Sequence, residues 1–174
     1  MKGAVNGMEK EILLNRYQKS EIVGFYGLES IEKERKGVLQ ENIHQYIIQL
    51  YGKGYRCFAV ASVQGFSLLA FRELVNLQIV YKDITILLFE LIDLNMEEWE
   101  NEEKEEYDAL CRSASVIIHT MAEKRLTALS RIAAKLLVYC NHLVCYFEHN
   151  SKELQELQKL IDIIAVLDDK PIQD

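Results

Sequence analysis

Six short, near-continuous apolar runs punctuate the chain, at 22–26, 57–63, 84–91, 116–120, 143–147 and 163–167. A strand with one face in water alternates apolar and polar residues, whereas a parallel strand covered on both faces reads as an unbroken apolar run. Between the runs lie longer stretches of helical period, near 31–51, 67–82, 96–113, 124–139 and 151–160. Their starts carry cap chemistry. Asn95 with Glu98, and Asn150 with Glu153, have capping-box spacing, while Ser30 and Ser67 are simpler N-cap candidates. Strand–helix alternation repeated in this way predicts right-handed βαβ crossovers. The expected architecture is α/β: a three-layer α/β/α, Rossmann-like open sheet, mainly parallel, with five to six strands.

At 174 residues the chain fits one domain. Residues 21–174 form that domain, and residues 1–20 are an N-terminal extension, either a short amphipathic helix through Ile12, Leu13 and Tyr17 or a frayed end. Apolar residues make up 49% and charged residues 27%, which excludes a disordered tail or a coiled-coil rod. A net charge of -7 opposes nucleic acid as a partner. The most apolar stretch, 84–92, is interrupted by Thr85 and Glu90 and is half a membrane span in length, so no membrane association is expected. The first twenty residues hold no apolar run suited to a signal peptide, and the four cysteines show no framework spacing. Both point to a cytoplasmic protein with reduced thiols.

Ligands of an open parallel sheet bind beyond the carboxyl ends of the strands, where helix N-termini present free N–H groups. The loop after the first strand carries Gly27, and the loop after the second carries Ser62, Gln64, Gly65 and Ser67. These residues are the candidates for a small polar site, with Trp99 packing over the sheet edge or the pocket mouth. No residue after Gly65 is a glycine, so a Gly-rich phosphate cradle is not expected in the second half. Cys140, His142 and Cys145 invite a metal reading, but residues 142 and 145 of one strand point to opposite faces, and no metal is expected. The seven carboxylates of 97–106 suit a solvated face at a helix N-terminus. His44, in mid-helix, reads as packing or surface. His119 ends the fourth strand near the ligand edge with nothing beside it that makes a credible partner. No G-x-S-x-G elbow occurs, and neither catalytic residues nor a cofactor are assigned.

The order strand, Gly27, helix, strand, Gly65, helix, strand, acidic Trp-containing segment, strand, helix, strand resembles the SLOG superfamily of Rossmann-like domains, in its YpsA-like bacterial branch. The resemblance covers roughly residues 20–168. Its best local anchor is MEEWENEEKEEYDALCRSA (96–114), through Trp99, Tyr107, Leu110 and Ala114; NHLVCYFE (141–148) resembles a strand-final stretch of the branch. The branch carries T-G-H-R after its first strand, of which Tyr26-Gly27-Leu28-Glu29 keeps the glycine. Ala61, Ser62 and Ser67 stand at the two glycines and the aspartate of its G-G-A-x-G-x-D motif, and Arg72 stands where an acid follows. His149-Asn150-Ser151 replaces its G-G-T turn, which adds Asn150 to the candidate ligand residues. The P-G-G-x-G-T-x-x-E motif of the related LOG phosphoribohydrolases is absent.

The resemblance therefore implies a degenerate nucleotide pocket. The expected function is non-catalytic or ligand-sensing, exerted by binding a small ligand or a protein partner, with weak affinity for any nucleotide-like ligand. The alternative is a hydrolase or transferase acting on a nucleotide-derived substrate with non-standard site residues. Helix 67–82 carries more apolar positions than one sheet-facing stripe needs, and Leu77, Val80 and Tyr81 predict a homodimer interface. The competing expectation is that residues 8–20 fold back over that helix.

Overall fold

All six apolar runs are strands of one parallel sheet: β1 (Ile22–Gly27), β2 (Cys57–Ala61), β3 (Thr85–Leu91), β4 (Val116–Thr120), β5 (His142–Tyr146) and β6 (Ile163–Val166). The structure is a computed structural model and describes residues 11, 15–120 and 131–172. Helices α1 (Lys33–Gly52), α2 (Phe66–Val80), α3 (Asn101–Cys111), α4 (Arg131–Tyr139) and α5 (Lys152–Leu160) connect or follow the strands. Strand order is β4-β3-β2-β1-β5-β6. The chain steps outward from β1 to β4, then returns past three strands to place β5 on the other side of β1.

This return decides the layers. Right-handed crossovers that progress in opposite directions put their helices on opposite faces. Val23, Phe25, Phe58, Val60, Ile86, Leu88 and Val144 accordingly bury against α1, α2 and α3. Ile22, Tyr26, Cys57, Ala59, Leu87, Phe89, Leu143 and Cys145 bury on the opposite face with Ile132, Leu136 and Leu157. Every residue of β1, β2 and β5 is buried, which is why those strands read as unbroken apolar runs. The result is a Rossmann-like three-layer α/β/α fold.

Several helix starts differ from the capping patterns. The segment 92–100 folds as turns, Asn95 Oδ1 accepting from Glu97 N–H (2.9 Å), and α3 begins at Asn101 with a Glu100/Glu103 capping box. The turns lower Trp99 into the core, its ring edge-on to Tyr107 at 5.3 Å. Asn150 is not the cap of α5. It takes φ 65, and Ser151 Oγ caps Leu154 N–H at 3.3 Å. Helix α1 starts after Glu32 rather than Ser30, and Ser67 lies inside the first turn of α2 rather than before it.

Of the expected helix 124–139, residues 124–130 lie outside the described residues, as do Ile12 and Leu13 of the extension. Tyr17 is described, and it does not cover α2. Its hydroxyl shares a hydrogen bond of 3.0 Å with Thr85 Oγ1, and its ring packs on the opposite face of the sheet from α2. Ile79 and Val80 at the end of α2 stay exposed, while Leu77 is buried. Beyond β6 the chain turns back along α1. Among the described residues no helix is long and apolar enough to cross a membrane.

Candidate functional site

The point at which strand order reverses lies between β1 and β5, and an open α/β sheet places its ligand crevice at the carboxyl ends there. Gly27 ends β1 at that point, but its Cα surface is already covered. A Cβ there would lie 2.5 Å from the Tyr146 carbonyl and 3.0 Å from the Phe66 ring. Leu28 N–H donates to the Tyr146 carbonyl (2.9 Å), and the Leu28 carbonyl accepts from Phe66 N–H (2.9 Å). The first amide of α2, which would otherwise face an anion, is thus satisfied by the chain's own loop. Gly65 permits that approach with φ +71, since a Cβ there would come within 2.3 Å of the Leu28 oxygen. Ser67 is buried in the first turn, its hydroxyl without a partner among the described residues.

Ser62, Gln64 and Trp99 do come together, around a recess of about 210 Å³ that also meets Glu29, Asp93 and Asn95. Ser62 and Gln64 are engaged. Ser62 is buried, accepting from Leu91 N–H at 3.1 Å and donating its own N–H to the Phe89 carbonyl at 2.9 Å, so it extends the β2–β3 ladder. Gln64 Nε2 donates to Glu103 Oε2 at 2.7 Å.

Asn150 stands apart from these residues, in a larger cleft of about 720 Å³ beyond β5 and β6. One wall is the β5–α5 turn, His149-Asn150-Ser151, and the other is the returning segment 166–170. Asparagine tolerates the left-handed conformation at 150 that most residues avoid, so this turn keeps a tight shape without glycine. Tyr146 lines the cleft from the end of β5, and Arg35 reaches it from the first turn of α1. Asp169 Oδ2 accepts from Tyr146 OH at 2.9 Å and lies 3.2 Å from Arg35 Nη1. Arg35 Nε also faces Glu32 at 3.1 Å. Hydrogen bonding to Tyr146, then the charges of Glu32 and Asp169, raise the guanidinium's pKa, so Arg35 is a fixed cation at the cleft.

The reading of His119 as lacking a partner is corrected. Glu90 sits directly across the β3–β4 ladder from it, and Glu90 Oε1 lies 3.5 Å from His119 Nδ1. Glu90 Oε2 accepts from Tyr107 OH at 2.5 Å, and burial followed by that bond pushes the phenol's pKa far up. The signal was available, because both residues are penultimate in adjacent strands, but only the register makes them face each other. His44 is likewise more than packing or surface. Its Nδ1 lies 2.9 Å from Oε2 of the buried Glu73, whose Oε1 accepts from Gln40 Nε2 at 2.6 Å. Arg72 forks onto Glu106, Nη2 donating to Oε2 at 2.7 Å.

Cys140 and Cys145 lie in the core on the α4–α5 face, whereas the His142 ring packs edge-on to Tyr55 on the other side of the sheet. Burial raises the thiols of Cys57, Cys140 and Cys145 to about 12, which leaves them protonated and unreactive at neutral pH.

Fold and cleft together define a Rossmann-like α/β domain with a large cleft beyond β5 and β6, beside the sheet's switch point. No family model matches the chain, and no curated protein matches it with significance.

Proposed function

We propose that this chain is a SLOG-like Rossmannoid binding protein that takes a small ligand in the cleft beyond β5 and β6 and does not turn it over. The cleft carries the reading. Its volume of about 720 Å³ suits a small molecule, it lies beside the switch point at the starts of α1 and α5, and Arg35, Tyr146 and Asn150 converge on it. A degenerate nucleotide pocket is supported by the loop after β1, whose carbonyl occupies the N-terminus of α2 where a phosphate would need to approach. Thermal unfolding across a small-molecule library tests this. At least one compound should stabilise the wild type, by about 2.7 kcal/mol at a concentration of 100 Kd, and Arg35→Ala should lose the response. AMP, ATP, NAD and ADP-ribose should show no Kd below about 100 μM, or about −5.5 kcal/mol. A micromolar nucleotide, or hits indifferent to Arg35→Ala, refutes the assignment.

A second reading, hydrolase or transferase, is favoured by one observation: Glu90 lies 3.5 Å from His119 at the carboxyl edge, and Tyr107 donates to Glu90. Consumption of a bound compound, lost in His119→Ala, would establish it.

Self-association is part of the proposal. Ile79 and Val80, both more than 60% exposed, form an apolar end to α2 that no described residue covers. Light scattering should give a dimer for the wild type and a monomer for Val80→Glu; a monomeric wild type rules the interface out.

A further inference from the structure

We propose that residues 168–172 form a strap whose own carboxylate occupies the anion position of the cleft, and that the ligand carries an oxyanion which displaces it. The proposal rests on the cleft being the ligand site. Asp169 is the occupant: a single oxygen, Oδ2, takes both the Tyr146 hydroxyl (2.9 Å) and the Arg35 guanidinium (3.2 Å). Tyr146 is buried to all but 7% of its surface, and its hydroxyl donates to that oxygen.

The backbone on either side of Asp169 is held separately. The two N–H groups of Asn42 Nδ2 reach the carbonyls of Asp168 and Lys170, each at 2.9 Å, bracketing the residue between them. Asp168 Oδ1 accepts from Lys170 N–H at 3.0 Å, which shapes the turn that presents Asp169. Asn42 is itself buried, so the latch is set in the body of the domain. The carboxylate contact is different in kind. Arg35 and Asp169 side chains are 48% and 24% exposed, and ion pairs that open to water are weak and exchangeable. The strap is therefore tethered by its backbone and only lightly held by its charge.

What replaces Asp169 must resemble it. A carboxylate or a phosphate presents an oxygen that accepts from Tyr146 and pairs with Arg35, and a neutral ligand gains nothing from that exchange. Glu148, Asp168 and Lys170 also line the cleft, and Arg35 and Tyr146 are the cation and donor that a single oxygen already bridges there.

Exchange of the Lys170 amide, the strap N–H that Asp168 Oδ1 holds at 3.0 Å, and binding titrations decide the matter, using the wild type, Asp169→Asn and Arg35→Ala. The probes are sodium phosphate and sodium succinate, with sodium chloride at matched ionic strength. One of the two oxyanions should speed exchange at Lys170 in the wild type, and which one does so tells phosphate from carboxylate. Asp169→Asn should bind that anion about fivefold more tightly, because the competing ion pair is gone, and Arg35→Ala should not respond. Equal affinity in wild type and Asp169→Asn, or binding without faster exchange, overturns the strap while leaving the cleft as a ligand site. The same response to chloride overturns it as simple screening. If neither anion acts on Asp169→Asn the strap also fails, and library compounds that still depend on Arg35 would show that the cleft assignment survives it.

Discussion

Gly65→Ala should cripple folding, whereas Gly54→Ala should be mild. Both glycines have positive φ, +71 and +102, and both substitutions add backbone strain of about 1–3 kcal/mol. Only at Gly65 is the added methyl also blocked. It would fall 2.3 Å from the Leu28 oxygen and 2.6 Å from the carbonyl carbon and oxygen of Glu29, and these are backbone atoms that cannot swing aside. Separating them breaks the bond from Phe66 N–H to the Leu28 carbonyl and lifts the β1 loop off α2. Overpacking of this kind adds about 1–3 kcal/mol more. The total, about 2–6 kcal/mol, is a large share of the roughly 5–15 kcal/mol by which a folded domain is stable. At Gly54 nothing lies within 4 Å of the added atom. Urea unfolding of the two variants measures the difference directly. Equal losses would mean that the tight approach of the two loops at Gly65 contributes nothing.

His142→Phe should stabilise the protein and flatten its response to acid. His142 opens β5 with 5% of its surface exposed, and neither ring nitrogen has a partner among the described residues. A buried polar atom without a hydrogen bond costs about 1–3 kcal/mol, and phenylalanine removes it while keeping the edge-to-face contact with Tyr55 at 5.4 Å. Burial first, and the Lys53 charge second, lower the imidazole's pKa below its ordinary value of 6.5. The sign follows from proton counting. As pH falls through about 6.5 the unfolded chain takes up a proton at this residue that the folded chain still refuses, so folding stability declines. The decline continues until the lower folded-state pKa is reached, at no more than about 1.4 kcal/mol per pH unit from this group. Above 6.5 the group adds no slope. Chemical denaturation from pH 7.5 to 5 should therefore show a steeper loss in wild type than in His142→Phe. Parallel pH curves would show that His142 is protonated as readily folded as unfolded.

Much of the architecture can be read directly from residue order. A strand buried on both faces must be apolar at successive positions, and a helix must repeat its apolar face every 3.6 residues. Those two periods place β1, β4 and α5 within a residue or two of their observed ends. The start of α3 escaped because the Asn95 side chain, which can cap a helix, is satisfied equally well by a turn. Burial of Trp99 against Tyr107, a contact between side chains eight residues apart, accompanies the turn. Candidate residues fared according to the range of the forces on them. Gly27, Gly65 and Ser67 sit where ligand chemistry is expected in such a sheet, yet Tyr146 and Phe66 cover Gly27, and Leu28 and Glu29 close on Gly65 at the start of α2.

Residue order by itself determined that this chain forms a parallel, doubly covered sheet, because apolar periodicity is a local property that each segment carries with it. Strand order, and with it the switch point between β1 and β5, came only from tertiary structure, because six similar apolar runs can pair in many orders and only whole-domain packing chooses one. The same holds for Glu90 facing His119, which depends on ladder register, and for the cleft itself. Arg35, Tyr146, Asn150 and Asp169 are scattered over more than a hundred residues, and they meet because the chain returns past three strands and then folds its last turn back against α1.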